Sequence, residues 1–414
     1  MKKKFVAAAV GAMLIGGSAM AVELAPHGKG DVLIAPMFMT GGQWSTELKV
    51  INTSLVDSAV AKLEFHAPTD SAELRDFFIF LSPGDVWTGV VSEAGGTVSV
   101  NSTDDSAWTV SQLANGCTSA TGTPGIATTL NGNWTTGYVN VFETKMIRGL
   151  PLNTGGTVDK AAIIKRFSED CTAGIPITQA STDNVLTGSV KLSNPANGNM
   201  LLLPMTALAN YDNRQYHNIN VYTGFFANAS FSTKAQVEDA IWQSNYVVPF
   251  NNAAASATSA QQYTFATVTF PTKETFYRNS AGSQYTPFVG YMSPVPVGYS
   301  VRDEMENTFT TVGCTFSPCT PDQTYSLLNE LNIISIVPNT AGSATVVDTK
   351  GFSKGWVNVT VAPEPSDTRA NANYNNFGQN GAPALATYIQ WTLSGAQVQG
   401  AWNYAPSTYT AGAN

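Results

Sequence analysis

Short segments of alternating apolar and polar residues recur along this chain about every ten residues, and Gly, Pro, Asn and Asp separate them. Residues 45–54 and 60–68 are clear examples, because apolar side chains occupy alternate positions in each. This period of two is that of a β-strand with one face on a core. Helical periodicity is absent from residues 31–102. The sequence therefore predicts a mainly β chain, with one or more immunoglobulin-like or Greek-key β-sandwiches, long loops and a few short helices.

Two segments are predicted to be helical. Residues 158–171 favour a short helix that ends near Cys171. Residues 232–245 give the clearer signal, with Thr233 as a candidate N-cap. The apolar stripe of this second helix would consist of Val237, Ile241 and Trp242.

The stretch 77–87, FFIFLSPGDVW, places a turn inside a strongly apolar region. Pro83 suits position i+1 of a type II turn and Gly84 suits position i+2. Asp85 is expected to bond the turn backbone, and Trp87 to pack on the resulting hairpin. Apolar residues at both odd and even positions of 77–81 predict a strand covered on both faces, by a second sheet or by a partner.

The N-terminus has the three-part pattern of a secretory signal peptide, which predicts cleavage after residue 21. An N-terminal membrane anchor is the alternative. No later apolar segment is long enough to span a membrane, so we expect no integral membrane segment after cleavage. The predicted location is secreted, extracellular or at the cell surface, with the periplasm as an alternative. We expect a β-sandwich region at 22–110 and a second β-rich region at 111–414, and leave open whether the two pack together.

Charge argues against two classes of partner. Removing Lys2, Lys3 and Lys4 leaves 18 of 21 basic residues against 29 acidic ones, a net charge of −11 (18 − 29). Nucleic acids and anionic lipids are bound through clustered Lys and Arg, which such a chain lacks. Charged residues are only 12% of the chain, and Thr, Ser, Asn, Gly and Ala take their place. A polar, weakly charged surface of this kind suits β-structure.

Four cysteines in an exported chain favour two disulfides. Cys314 and Cys319 are close enough in sequence for a local bridge, which would leave Cys117 to pair with Cys171. A zinc site is the alternative, but the spacing is not that of a zinc finger and no histidine lies near either pair.

Catalytic motifs are missing from the sequence: there is no G-x-S-x-G, HExxH, P-loop or GxGxxG. We therefore predict no catalytic residue and no resident cofactor. The histidines are too dispersed to suggest a metal site or a triad, and we read them as structural; they are His27, His66 and His217.

Two weaker candidate sites are also present. Thr272, Lys273 and Glu274 end a predicted strand, where a solvated charge pair explains them as well as chemistry does. Asp104, Asp105 and the segment 210–218 carry oxygen ligands that calcium would accept, but Asx turns use the same residues.

Exposed aromatic residues would provide stacking surfaces for sugars. Trp44 and Trp134 lie in polar, Gly-rich and Asn-rich contexts and are the candidates for glycan binding. Trp87 and Trp356 lie within apolar strands and are expected in the core.

Several segments together resemble, in the same order, an uncharacterised family of secreted, β-rich bacterial cell-surface proteins. They include GDVLIAPMF, KLEFHAP, LRDFFIFLSPGDVWTG and TGYVNVFE, of which LSPGDVWTG is the most specific. The resemblance implies architecture and location and carries no catalytic residue. Within the chain, 137–143 (GYVNVFE) is also similar to 355–361 (GWVNVTV), through duplication of sandwich halves or through chance.

The first functional hypothesis is a secreted, non-enzymatic structural or adhesive component of an extracellular layer or fibre. Its partners would be other copies or other surface proteins, with residues 31–39 as a strand donated between subunits. The alternatives are a carbohydrate-binding module that uses exposed aromatics and, last, a hydrolase with dispersed carboxylates.

Overall fold

The computed structural model describes residues 22–173, 183–196, 198–211, 231–243, 245–252, 262–273, 294–307, 323–338, 341–361, 381–392 and 399–401. The predicted signal peptide, Cys314 and Cys319 lie outside these ranges. Strands dominate the described residues, which confirms the mainly β, sandwich-class prediction.

The first half of the chain contains fourteen strands and one α-helix within the described ranges. In chain order these are β1 (Glu23–Leu24), β2 (Val32–Met39), β3 (Ser45–Asn52), β4 (Ser58–His66), β5 (Glu73–Leu81), β6 (Val86–Ala94), β7 (Thr97–Ser102), β8 (Trp108–Gln112), β9 (Thr118–Pro124), β10 (Ile126–Thr129), β11 (Thr136–Ile147), α1 (Lys160–Thr172), β12 (Leu186–Asn194), β13 (Asn199–Pro204) and β14 (Thr206–Ala209). Two six-stranded sheets face each other: sheet A, β1-β14-β2-β11-β4-β5, and sheet B, β10-β7-β6-β3-β12-β13. Their inner faces enclose a large apolar core.

The second half forms another sandwich. Its elements are α2 (Phe231–Ala240), β15 (Trp242–Gln243), β16 (Asn245–Asn251), β17 (Gln262–Thr269), β18 (Val295–Asp303), β19 (Gln323–Leu327), β20 (Leu331–Val337), β21 (Val346–Asp348), β22 (Lys354–Val361), β23 (Ala382–Pro383), β24 (Leu385–Thr392) and β25 (Gln399–Ala401). Sheet C has the order β16-β22-β18-β19, and sheet D has the order β21-β20-β17-β24-β25. A separate core fills the space between them.

The two sandwiches share one strand arrangement. The order β2-β11-β4-β5 in sheet A corresponds to β16-β22-β18-β19 in sheet C, and β6-β3-β12 in sheet B corresponds to β20-β17-β24 in sheet D. The similar segments 137–143 and 355–361 lie in β11 and β22, which occupy equivalent places. Gly137 pairs with Phe38, and Gly355 pairs with Phe250. The chain thus contains two copies of one seven-strand unit.

Two details differ from the sequence-based predictions. The division predicted at residue 110 does not separate the sheets, because β11 lies between β2 and β4 and β12 pairs with β3. The strand order also differs from that of immunoglobulin domains, whose first two strands share a sheet. Here the successive strands β2 and β3 lie in opposite sheets.

The turn between β5 and β6 crosses from one sheet to the other. The Asp85 N–H donates to the Ser82 carbonyl over 3.1 Å, and Gly84 has φ 71°. The expected hairpin is wrong, because β5 belongs to sheet A and β6 to sheet B. Trp87 leaves this turn into the core, fully buried and edge-on to Phe77. The turn therefore closes one end of the sandwich.

Helix α1 explains the two-sided apolar pattern of β5. Leu81 and its odd-numbered neighbours face the inner core, whereas Phe78 and Phe80 point outward and pack edge-on against Phe167 of α1. The outer face of β5 is thus covered by a helix of the same chain, where the sequence had predicted a second sheet or a partner. Asp159 caps the helix by accepting the Ala161 N–H over 2.9 Å.

Helix α2 covers another part of the same outer face. It begins at Phe231, two residues before the predicted cap Thr233. Val237 and Ile241 are buried against Val32 and Phe142, whereas Trp242 has already entered β15.

A disulfide joins Cys117 to Cys171, which confirms that predicted pair. It connects the β8–β9 hairpin to the C-terminal turn of α1. Ser168 of α1 adds a hydrogen bond of 2.7 Å to the Thr118 carbonyl. The disulfide therefore fixes the C-terminal end of the helix, where Asp170 also forms an ion pair with Lys145 of β11.

We expect the Cys117→Ser/Cys171→Ser double variant to lose stability, because the bridge closes a loop of 54 residues. Loop entropy puts the loss in the free energy of unfolding near 4 kcal/mol, as an upper value. Urea titration of the oxidised wild type and the variant measures it. Equal midpoints and slopes would show that the bridge adds no stability.

Candidate functional site

A row of polar side chains crosses the outer face of sheet A between the areas covered by α1 and α2. Asn140 of β11 lies opposite Glu64 of β4, and Glu64 lies opposite Asp76 of β5. Lys62 lies on the same face of β4, two residues before Glu64. Alternation along β4 places all its even-numbered side chains on this face. We call Lys62, Glu64, His66, Asp76 and Asn140 the polar cluster.

Ion pairs organise one side of the polar cluster. The Lys62 Nζ atom lies 3.1 Å from Glu64 Oε1 and 2.6 Å from Asp76 Oδ2. Burial raises the pKa of Glu64 to about 7, although the Lys62 ammonium acts in the opposite direction. Burial therefore favours the protonated form of Glu64 more strongly than the Lys62 ammonium favours the charged form.

His66 organises the other side. Its Nδ1 atom lies 3.1 Å from the Ser71 carbonyl, and its Nε2 atom lies 3.2 Å from Asn140 Nδ2. In this arrangement Nδ1–H donates and Nε2 accepts, which requires a neutral ring. Its ring also stacks on Tyr138 with centroids 4.8 Å apart. Burial lowers the pKa of His66 to about 4.

The second sandwich docks beside the polar cluster. Glu330 and Leu331, where β20 begins, both donate their backbone N–H to the Pro68 carbonyl over 2.9 Å. The Glu330 carboxylate accepts the Ser71 hydroxyl, which also contacts Tyr138 Oη. The polar cluster is thus connected to the second sandwich through Tyr138 and Ser71.

A further hydrogen bond and apolar contacts extend this joint. Thr269 Oγ1 donates to the Pro36 carbonyl over 2.8 Å. Leu331 and Ile389 of sheet D join the core of the first sandwich. The joint therefore combines hydrogen bonds with continuous apolar packing.

The polar cluster has titratable groups but little access for a substrate. A carboxyl with a pKa near 7 and a neutral imidazole are the usual parts of acid–base catalysis. Glu64 and His66 are, however, fully buried, and Asp76 is nearly so. Their observed contacts are with one another and with the sandwich joint, which favours a structural role.

His66 and Glu64 should give opposite pH dependences. The lowered pKa of His66 adds stability that is lost as pH falls from 6.5 towards 4, by roughly 3 kcal/mol in total. The raised pKa of Glu64 adds stability that is lost as pH rises from 4.5 towards 7.

Between pH 4.5 and 6.5 the two contributions nearly cancel in the wild type. We expect Glu64→Gln to leave only the His66 contribution, so that stability falls as the pH falls, and His66→Gln to leave only the Glu64 contribution, so that stability rises as the pH falls. The measurement is the free energy of unfolding between pH 4.5 and 6.5 by urea titration. Parallel pH profiles for wild type and both variants would contradict these assignments.

A second charged contact fixes α1 to the turn between the sheets. Lys160, the first residue of α1, forms an ion pair with Asp85 and donates to the Phe80 carbonyl over 3.1 Å and to Ser106 Oγ over 3.0 Å. Asp85 also accepts the N–H groups of Ser82 and Val86. Burial lowers the pKa of Lys160 to about 8.

This contact has the composition of a serine–lysine pair, but it is closed to substrate. Ser106 is 0% exposed and also lies 3.0 Å from Asp85 Oδ2. A nucleophile has to reach its substrate, so we assign the Ser106–Lys160 pair to structure.

We expect Lys160→Ala to lower the free energy of unfolding by roughly 3 kcal/mol, because it leaves the Asp85 carboxylate without its buried cation. Lys165→Ala is the matched control on the same helix, since that side chain is 67% exposed. It should change stability by less than about 0.5 kcal/mol. Urea titrations compare the two, and equal losses would contradict the assignment.

The predicted sugar-stacking residues lie on two neighbouring loops. Trp44 follows the β2–β3 turn and packs partly on the core, and Trp134 precedes β11 and is 36% exposed. Thr40 joins the loops by donating its backbone N–H to the Thr135 carbonyl over 2.7 Å. Trp356 is only half-buried and faces outward from β22, unlike the fully buried Trp87, so the core prediction for Trp356 is wrong.

The other candidates do not come together. His27 is exposed, whereas Lys273 is buried and donates to the Leu328 carbonyl over 2.6 Å. Asp104 accepts the Ser106 N–H, which is the hydrogen bond of an Asx turn, and also the Thr88 N–H; the adjacent Asp105 is exposed. Thr272 is buried; Glu274, His217 and residues 212–218 lie outside the described ranges.

Within the described ranges no three His, Cys, Asp or Glu residues are grouped to hold a metal ion. In the same ranges, none of the helices has the length and apolar character to cross a membrane.

Sequence reasoning missed the polar cluster and the Lys160 contact. The alternation in β4 was consistent with a solvent-facing side at Lys62 and Glu64. The available signal was the neighbouring Phe78 and Phe80, which already required a cover over that face. No local pattern joins Lys160 to Asp85, which is 75 residues earlier.

Comparison with known proteins gives no match: no family model fits the chain, and no curated protein or solved structure is similar to it. The resemblance to secreted, β-rich bacterial surface proteins therefore stays a prediction.

Proposed function

We propose that this chain is an exported, non-enzymatic protein that forms part of an extracellular layer, fibre or adhesive structure. The observation that carries the proposal is the duplicated sandwich, whose two copies are held together by buried contacts at Pro68 and Glu330. Tandem units with a fixed joint give a rigid spacer, which is useful in a surface structure.

Two further features support an extracellular location. The Cys117–Cys171 disulfide is of the kind that persists in oxidising compartments. The chain also begins with the signal-peptide pattern described above. Its partners would be other copies or other surface proteins.

One route to assembly is contradicted by the fold. Residues 31–39 were the candidate donor strand, but β2 is paired with β11 on one edge and β14 on the other. Donating it would open the centre of sheet A. Assembly would therefore use surfaces of the folded protein.

The test is to fractionate the producing cells and examine their surface material by electron microscopy and mass spectrometry. We expect the mature chain in the surface fraction, and loss of a layer, fibre or adhesion when the gene is deleted. Absence from that fraction, with an unchanged surface in the deletion strain, would contradict the proposal.

Glycan binding is the second candidate, and the adjacent Trp44 and Trp134 loops favour it. Aromatic faces on joined loops are suited to stack on sugar rings. A glycan array should show binding that Trp134→Ala removes and the conservative Trp134→Phe retains. An array without binding would exclude this candidate. A hydrolase with dispersed carboxylates ranks last, because Glu64 and Asp76 are held by Lys62.

A further inference from the structure

The joint inside the chain uses different surfaces of the two copies. The second sandwich contributes the outer face of sheet D, where Leu331, Thr269 and Leu385 form one row across three strands. The first sandwich contributes the end of sheet A near Pro36 and Pro68. The contact is heterologous, because it joins two different surfaces of the same unit. The first sandwich therefore still has its own equivalent of the sheet D surface, and the second still has its own equivalent of the sheet A surface.

The equivalent row in the first sandwich is defined by strand register. In sheet B, Ile51 pairs with Val86 on one side and with Thr187 on the other. In sheet D, Thr269 pairs in the same way with Leu331 and with Leu385. The corresponding turns also match, since the N–H of Asn52 donates to the Asp85 carbonyl and that of Phe270 to the Glu330 carbonyl.

This row is bordered by the most exposed apolar side chains of the first sandwich. Leu55 and Val56, in the β3–β4 loop, are 83% and 78% exposed, and Val86 is 38% exposed. The Leu55 side chain lies beside Gly84 of the turn. We call Ile51, Leu55, Val56 and Val86 the head corner. Lys160 neutralises the nearby Asp85, so the head corner is mainly apolar.

Among the described residues, the second sandwich carries the equivalent of the complementary surface. In sheet A, the row next to the joint runs through Tyr138 of β11 and His66 of β4. The equivalent row of sheet C runs through Trp356 of β22, with Pro249 and Arg302 paired to it on either side. On the adjoining row Val247 is 41% exposed. We call Val247, Trp356 and Arg302 the tail row.

We propose that copies of this protein associate head to tail, with the head corner of one chain on the tail row of the next. The inference rests on the proposed function and specifies its partner as a second copy. A heterologous contact of this kind propagates into a filament unless the rotation closes a ring. Successive chains would then be joined in the same way as the two sandwiches within one chain.

The contact between chains should be weaker than the joint inside the chain. On the outer face of sheet D, Thr267 and Ile389 lie on the side of the joint. The equivalent positions of sheet B are occupied by Lys49 and Lys191. The Lys191 Nζ atom lies 3.6 Å from the Glu47 carboxylate. Charged residues at these positions confine apolar contact to the head corner. Association should therefore depend on protein concentration.

Analytical ultracentrifugation of the mature chain, over a range of concentrations, tests the proposal. We expect the average mass of the wild type to rise with concentration. Leu55→Asp, which disrupts the head corner, and Val247→Asp, which disrupts the tail row, should each keep the mass of a monomer. Mixing the two variants should give a discrete one-to-one dimer, because each retains one intact surface. Leu202→Asp, exposed on the edge strand of sheet B, is the control and should associate like wild type.

A wild-type chain that stays monomeric at all concentrations would overturn the proposal, as would association that neither variant weakens. Circular dichroism and urea titration verify that each variant is folded. A monomer that is nevertheless found at the cell surface would overturn head-to-tail association alone. Association by a chain absent from the surface would overturn the proposed function alone.

Discussion

The outer face of sheet A cannot remain in water, and most of the remaining structure follows from this constraint. Apolar rings at Phe78, Phe80 and Phe142 lie on the same face as the charged groups of the polar cluster. The chain covers this face in separate parts. Helix α1 packs on one side and α2 on the other, and the second sandwich closes the end near His66.

Duplication of the sandwich accounts for much of this arrangement. Asp85 and Glu330 occupy the same position, after the turn that connects two sheets, and each carboxylate has a buried partner. Asp85 is held by Lys160 of a helix inserted in the first unit, and Glu330 is held by Ser71 of the neighbouring unit. One structural position thus fixes a helix in one copy and joins two sandwiches in the other.

The local parts of the fold were predictable from the sequence. Period-two alternation in residues 45–54 and 60–68 identified strands, and the pattern at 158–171 identified α1, because both signals lie within one element. The pair Cys117–Cys171 followed from the local bridge predicted between Cys314 and Cys319, which left these two cysteines. The crossing at Ser82–Asp85 was not predictable, since a tight turn has the same sequence whether its strands pair or enter opposite sheets.

The polar cluster was missed for a related reason, although Phe78 and Phe80 already indicated a cover over that face. Lys62, Glu64 and Asp76 have the residue types of a solvent-facing strand side, and only the tertiary packing buries them. The equivalence of β11 and β22 was visible as a short match, and strand order was needed to distinguish duplication from chance. Long-range contacts such as Pro68 with Glu330 have no local signature.

Buried contacts at Pro68 lock the two copies together. Amide hydrogen exchange of the mature protein tests this most directly, with the Glu330 and Leu331 N–H groups as reporters. We expect both to exchange as slowly as core amides of β4 and β11, and Ser71→Ala to accelerate them while core amides stay protected. Rapid exchange at Glu330 and Leu331 in the wild type would contradict a locked joint.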